Sequence, residues 1–140
     1  MQVLHRVRVF VYRLVKGQPR YLLLHSAQGA EGLWRPIHGN IEFAEQFETA
    51  VRREVLEETG LLSRDGILDL ELPLRQLVGD EEIVHWNYGF RVDEVPEVLQ
   101  LDPERWDQFR WQDFEQAFSR FGLEGDRQAV TRLHSVLHAA

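Results

Sequence analysis

The chain has 140 residues, 44% of them hydrophobic, and its 16 Lys and Arg against 23 Asp and Glu give a formal net charge of −7. That length fits one domain spanning residues 1–140, and the negative balance disfavours a broad duplex-DNA or RNA surface, which needs clustered Lys and Arg. Without cysteine there is no disulfide framework, thiolate nucleophile or thiolate zinc site. No apolar stretch reaches the roughly 18 residues that cross a membrane, so a cytoplasmic protein with no membrane partner is expected.

The opening "MQVLHRVRVFVYRLV" is basic and partly apolar, but its alternation reads as a strand rather than a signal peptide. Strand character covers Val7–Val15 and Tyr21–His25, separated by the turn-forming "KGQP". The loop "AQGAEG" follows, then a short segment from Leu33 to Ile37. Phe47–Thr59 reads as a helix stopped by Gly60. Leu68–Val78 and Ile83–Val92 read as strands joined around "GDEE", and "DEVPEVLQLDPERW" as an irregular acidic loop. Phe109–Trp111 is a short strand; Phe114–Phe118 and Ala129–Leu137 are helical, with Gly122 and Gly125 between them and Asp126 a reasonable N-cap. These elements predict an α/β protein with a mixed sheet and a few packed helices.

The helix poses a problem. At about 100° per residue, Phe47, Ala50, Val51, Glu54, Glu58 and Leu61 fall on one stripe, with Glu57 at its edge. A charge on a core-facing stripe is destabilising unless paired or coordinated, and Glu54 and Glu58 repel each other at i,i+4. Glutamate's good helix propensity does not explain the placement. A divalent hard cation held by oxygen ligands resolves it; a solvated, salt-bridged helix with Arg52 and Arg53 nearby is the other reading.

From Gly39 the pattern is glycine, five residues, Glu45, seven residues, then Arg53-Glu54-Val55-x-Glu57-Glu58-x-Gly60-Leu61, 23 positions in all. This resembles a complete Nudix box, and the likeness extends over most of the chain. The resemblance implies the Nudix α/β/α sandwich and hydrolysis of a diphosphate linkage in the presence of Mg²⁺ or Mn²⁺. It implies Glu54, Glu57 and Glu58 as the metal-binding core, Glu54 also as a candidate base, and the Gly39 backbone carbonyl as a further ligand. Arg53 would orient the carboxylates, and Glu45 would support the helix entry. One more acidic residue is expected from the loop before Trp111. Glu104 is preferred over Asp107, with Glu81 and Glu82 further candidates.

The chain departs from the family pattern before the box. In "LWRPIHG" Ile37 and His38 replace the first two residues of the usual Pro-Gly-Gly run, and Ala44 stands where a glycine is conventional before Glu45. His38 either bonds substrate or shapes the loop. Trp34, Trp86, Tyr88 and Trp106 are candidates to stack on a base, Arg35 and Arg91 to meet phosphates, and His85 with Trp86 to line the cleft. The Trp34-to-Gly39 entry and "GDRQAV" are similar to the branch acting on nucleoside triphosphates and dihydroneopterin triphosphate. The expectation is a small-molecule nucleotide or nucleotide-like substrate and a monomer or homodimer. The alternatives are a dinucleoside polyphosphate or ADP-ribose/nucleotide-sugar pyrophosphatase, and a non-catalytic nucleotide sensor.

Overall fold

A computed structural model describes residues 2–26, 32–63 and 65–139. Most of the "AQGAEG" loop therefore lies outside the described residues. The chain forms β1 (Gln2–Val15), β2 (Gln18–Ser26), β3 (Trp34–Arg35), β4 (Ile37–Asn40), α1 (Phe47–Thr59), β5 (Ile67–Val78), β6 (Glu81–Arg91), β7 (Trp106–Gln112), α2 (Phe114–Arg120) and α3 (Glu124–His138).

β1 organises the seven-stranded sheet, pairing in parallel with β6 from Gln2↔Glu81 to Tyr12↔Arg91. That ladder explains why β1 begins at Gln2 rather than Val7, since the polar first residues gain a partner that alternation alone does not reveal. β1 and β2 pair only near their hairpin, from Tyr12↔Tyr21 to Val15↔Gln18. Lys16 and Gly17 close that hairpin with φ of 53° and 78°, the two left-handed positions of a tight turn whose twist matches the strands. Beyond it the two strands diverge, and the short segment between them fills the gap. β3 pairs with β2 and β4 pairs with β1, Pro36 separating the two. β7 takes the other edge of β2, and β5 borders β6 at the opposite side of the sheet.

Alternation on β1 divides the core. Val7, Val9 and Val11 face α1 with Ala50, Val51 and Val55, while Phe10 and Tyr12 face α2 and α3 with Phe121, Ala129, Val130 and Leu133. The result is a sheet between one helix and a helix pair, a mixed-sheet α/β/α sandwich. No helix among the described residues is long and apolar enough to cross a membrane.

Besides the earlier starts of β7 at Trp106 and of α3 at Glu124, two local details differ from expectation. Asp126 lies inside α3 rather than capping it; Leu123 is the cap residue. Asp126 is fully buried and takes Arg8 at 2.6 Å and Arg35 at 2.6 Å, so the sheet and not the helix end satisfies its carboxylate. The segment from Leu33 to Ile37 is two short strands, because Pro36 has no N–H to donate to a ladder.

Candidate active site

α1 is placed so that its acidic stripe meets β4. Its C-terminus closes on Gly60, whose φ of 75° suits a left-handed cap and whose N–H reaches the Leu56 carbonyl at 2.9 Å. Glu54 and Glu58 are buried alongside Ala50, Val51 and Val55, as the stripe requires. The Gly39 backbone runs directly against Glu54: a Cβ at position 39 would stand 2.2 Å from the Glu54 Cδ atom. Only glycine permits that approach of backbone to carboxylate.

The carboxylates are held by two arginines. Arg53 donates through Nε to Glu45 at 2.7 Å and through Nη2 to Glu45 at 2.9 Å and to the Asn40 carbonyl at 3.0 Å. Its Nη1 reaches Glu54 at 3.0 Å and Glu57 at 3.3 Å. One planar guanidinium thus ties the loop before α1 to two glutamates of the stripe. Arg105 donates to Glu58 and, at 3.1 Å, to the His38 carbonyl, and it lies over the Trp106 ring at 5.1 Å. Trp106 donates its indole N–H to the second Glu58 oxygen at 2.7 Å. Nothing in the sequence singles out Arg105, because an arginine in an irregular acidic loop carries no spacing signal.

Charge states follow from these contacts. Burial pushes the Glu54 carboxyl above the usual carboxylate range, against the pull of Arg53. Hydrogen bonding to Arg53 holds Glu45 below that range, and the same bond raises Arg53 further. Burial, followed by Arg35 and Arg105, pushes His38 down to about 2, so its ring is neutral at any ordinary pH.

The stripe opens on a cleft of about 520 Å³, lined by Glu42, Glu54, Glu57 and Glu58 together with the basic side chains Arg6, Arg53 and Arg105. An adjoining cavity of about 380 Å³ shares His38 and Arg105 with it and adds Arg35, Glu104 and Trp106. The structure therefore brings Gly39, Arg53, Glu54, Glu57, Glu58, His38, Arg35 and Glu104 to one connected region. It takes other candidates elsewhere. Asp107 bonds His25 at 2.6 Å, and Glu82 pairs with Arg75 near the tip of the β5–β6 hairpin, where Glu81 begins β6. Trp86 packs on Phe47, ring centroids 5.2 Å apart, and bonds His5 at 3.1 Å. Arg91 pairs with Asp93 and lines a separate cavity of about 970 Å³ with Gly60 and Pro96. Tyr88 is buried in the core, whereas Trp106, buried as well, borders the adjoining cavity and bonds Glu58. Trp34 packs at a tilt against His25, ring centroids 4.9 Å apart, with Arg110 over its ring at 5.2 Å. His85 lies on β6 beside Arg6 of β1 and within 3.2 Å of Gln76.

Among the described residues no group of three His, Asp or Glu side chains is gathered to hold a metal as it stands; Arg53, Arg105 and Trp106 occupy the carboxylate oxygens. The donors nonetheless fit a hard divalent cation in kind, being oxygens only, one of them on a carboxyl pressed against a bare glycine backbone.

The fold and the acidic cleft define an α/β/α sandwich with a carboxylate-lined site. A family model described as the NUDIX domain matches residues 4–133, and the chain belongs to that family, whose members generally use a divalent metal. The fold is similar to that of a NUDIX hydrolase of Listeria monocytogenes, with a TM-score of 0.81 and 16% identity over 95% of this chain and 93% of that one. It is also similar to the dihydroneopterin triphosphate pyrophosphohydrolase of E. coli, with a TM-score of 0.78 and 16% identity over 97% and 99%. At such identities these likenesses concern the fold alone. In sequence the chain is 32% identical over 133 residues to an octanoyltransferase of Myxococcus xanthus, covering 90% of this chain but 36% of that protein. It thus spans about a third of that relative's length.

Proposed function

We propose that the protein is a Mg²⁺-dependent pyrophosphohydrolase, with Mn²⁺ an alternative ion, that cleaves a nucleoside triphosphate or related triphosphate to the monophosphate compound and pyrophosphate. The observation that carries this reading is the Gly39 backbone lying against the buried Glu54 carboxyl within the acidic stripe. Such a carboxylate is stable there only beside positive charge, and Arg53 supplies part of it.

Glu54, Glu57, Glu58 and the Gly39 carbonyl would hold the ion, with Glu104 from the adjoining cavity completing the set. A bound divalent ion polarises phosphoryl oxygens and lowers the pKa of water. The chain's own residues do the rest. Arg53 fixes the orientation of Glu54 and Glu57. Glu54, with its carboxyl pushed up by burial, is suited to take the proton from the attacking water. The water oxygen forms the new bond to phosphorus, the phosphoanhydride bond breaks, and pyrophosphate leaves. Arg35 and His38 border the cavity where the remainder of the substrate would sit.

The test is product analysis over nucleoside triphosphates, dihydroneopterin triphosphate, dinucleoside polyphosphates and ADP-ribose, each with Mg²⁺ and with chelator. Metal-dependent pyrophosphate and a monophosphate product are expected. Turnover confined to a dinucleotide or ADP-ribose would replace the substrate assignment, and binding without turnover would make the protein a nucleotide sensor.

A further inference from the structure

The arginines around the cleft are not equivalent. Arg53 is held by Glu45, Glu54 and Glu57, Arg35 by Asp126, and Arg105 by Glu58. Arg6 lines the same cleft, yet among the described residues its side chain has neither an ion pair nor a hydrogen bond, and its buried Nε is without a partner. His85, its neighbour across the parallel ladder, carries a second buried unpartnered atom, Nδ1. The surroundings add positive charge. Arg8 follows on the same face of β1, and burial together with Arg8, Arg6 and Arg35 pushes His85 down to about 4. Asp126, the acid among these groups, is already shared by Arg8 and Arg35. A native fold seldom leaves a buried guanidinium nitrogen unpaired among cations without a reason.

We propose that Arg6 anchors the terminal phosphate of the substrate and thereby sets a preference for a triphosphate chain over a diphosphate diester. The inference rests on the hydrolase reading above. A guanidinium fork matches two phosphoryl oxygens at once. A terminal phosphate offers a second ionisable oxygen, whereas each phosphorus of a diester such as ADP-ribose offers one charge. Arg6 is thus a specificity residue, carried by β1 and lining the same cleft as the carboxylates of α1.

The experiment compares the full chain with Arg6→Ala and Arg6→Lys. Calorimetry with inorganic pyrophosphate gives direct binding, and steady-state kinetics with a nucleoside triphosphate and with ADP-ribose give selectivity. Arg6→Ala should weaken pyrophosphate binding by about tenfold or more, the loss of one charge-assisted contact. It should raise KM for the triphosphate by a similar factor, leave kcat within about twofold, and move KM for ADP-ribose by less than about threefold. Arg6→Lys should restore part of the affinity, because the charge returns without the fork. The unliganded Arg6→Ala protein should melt no lower than the wild type, since no bond of Arg6 is lost. Unchanged pyrophosphate affinity in a folded Arg6→Ala protein, or equal KM increases for both substrates, would overturn the proposal. If the wild type hydrolyses no phosphoanhydride, the hydrolase reading fails, and pyrophosphate affinity alone still decides the role of Arg6.

Discussion

The indole N–H of Trp106 donates to Glu58 at 2.7 Å inside the core, 48 residues away along the chain. β7 thereby fixes one oxygen of a carboxylate on α1 while Arg105, the preceding residue, holds the other. Trp106→Phe keeps most of the ring's packing and removes this donor. It should destabilise the protein by about 1–3 kcal/mol, the range for a buried acceptor left unsatisfied, as read by urea denaturation. A variant as stable as the wild type would show that the bond carries no weight.

Ala44 occupies the left-handed region with φ of 61°. The sequence predicts a slightly altered turn here, where the family conventionally has glycine. The backbone instead keeps a glycine-like conformation with a Cβ attached, which costs about 1–2 kcal/mol for an L-residue. Ala44→Gly should raise stability by about 1 kcal/mol after the added chain entropy of glycine is discounted, an increase of roughly 4 °C in Tm. Metal-dependent turnover should be unchanged.

The buried trio Arg8–Asp126–Arg35 locks the start of α3 to β1 and β3. Asp126→Asn removes the charge that offsets both arginines and should destabilise by roughly 3–5 kcal/mol, as for other buried pairs that lose one partner. Denaturation of the variant checks this, and a loss below about 1 kcal/mol would contradict it.

These cases show where sequence reading succeeds and where it stops. The span of α1, Phe47–Thr59, follows from the Gly60 cap at its C-terminus and its 3.6-residue period, both of which are local. The grouping of Gly39 with Arg53, Glu54, Glu57 and Glu58 is legible only through the resemblance to the Nudix box, because no local period relates Gly39 to α1. The Arg105 and Trp106 contacts to Glu58 depend on β7 pairing with β2, a long-range register without a local signature. Arg91 and Trp86 looked alike as cleft candidates because they share β6. Trp86 turns under α1, and Arg91 lies at the far end of a strand that outruns the cleft.

Burial, then Arg8, Arg6 and Arg35, depress His85 from its ordinary 6.5 to about 4. The unfolded chain therefore binds this proton first as pH falls, and the stability due to the neutral ring is lost progressively between about 6.5 and 4. His85→Gln should flatten that part of the stability profile, measured by denaturation at fixed pH intervals. An unaltered slope would assign the acid sensitivity elsewhere.

The most direct measurement is pyrophosphate release from the best triphosphate substrate by the wild type, Glu57→Gln and Glu58→Gln at saturating Mg²⁺, with folding followed by circular dichroism. The acidic stripe as metal site predicts that each variant loses turnover by on the order of 100-fold or more while remaining folded. Wild-type turnover in both folded variants would contradict it.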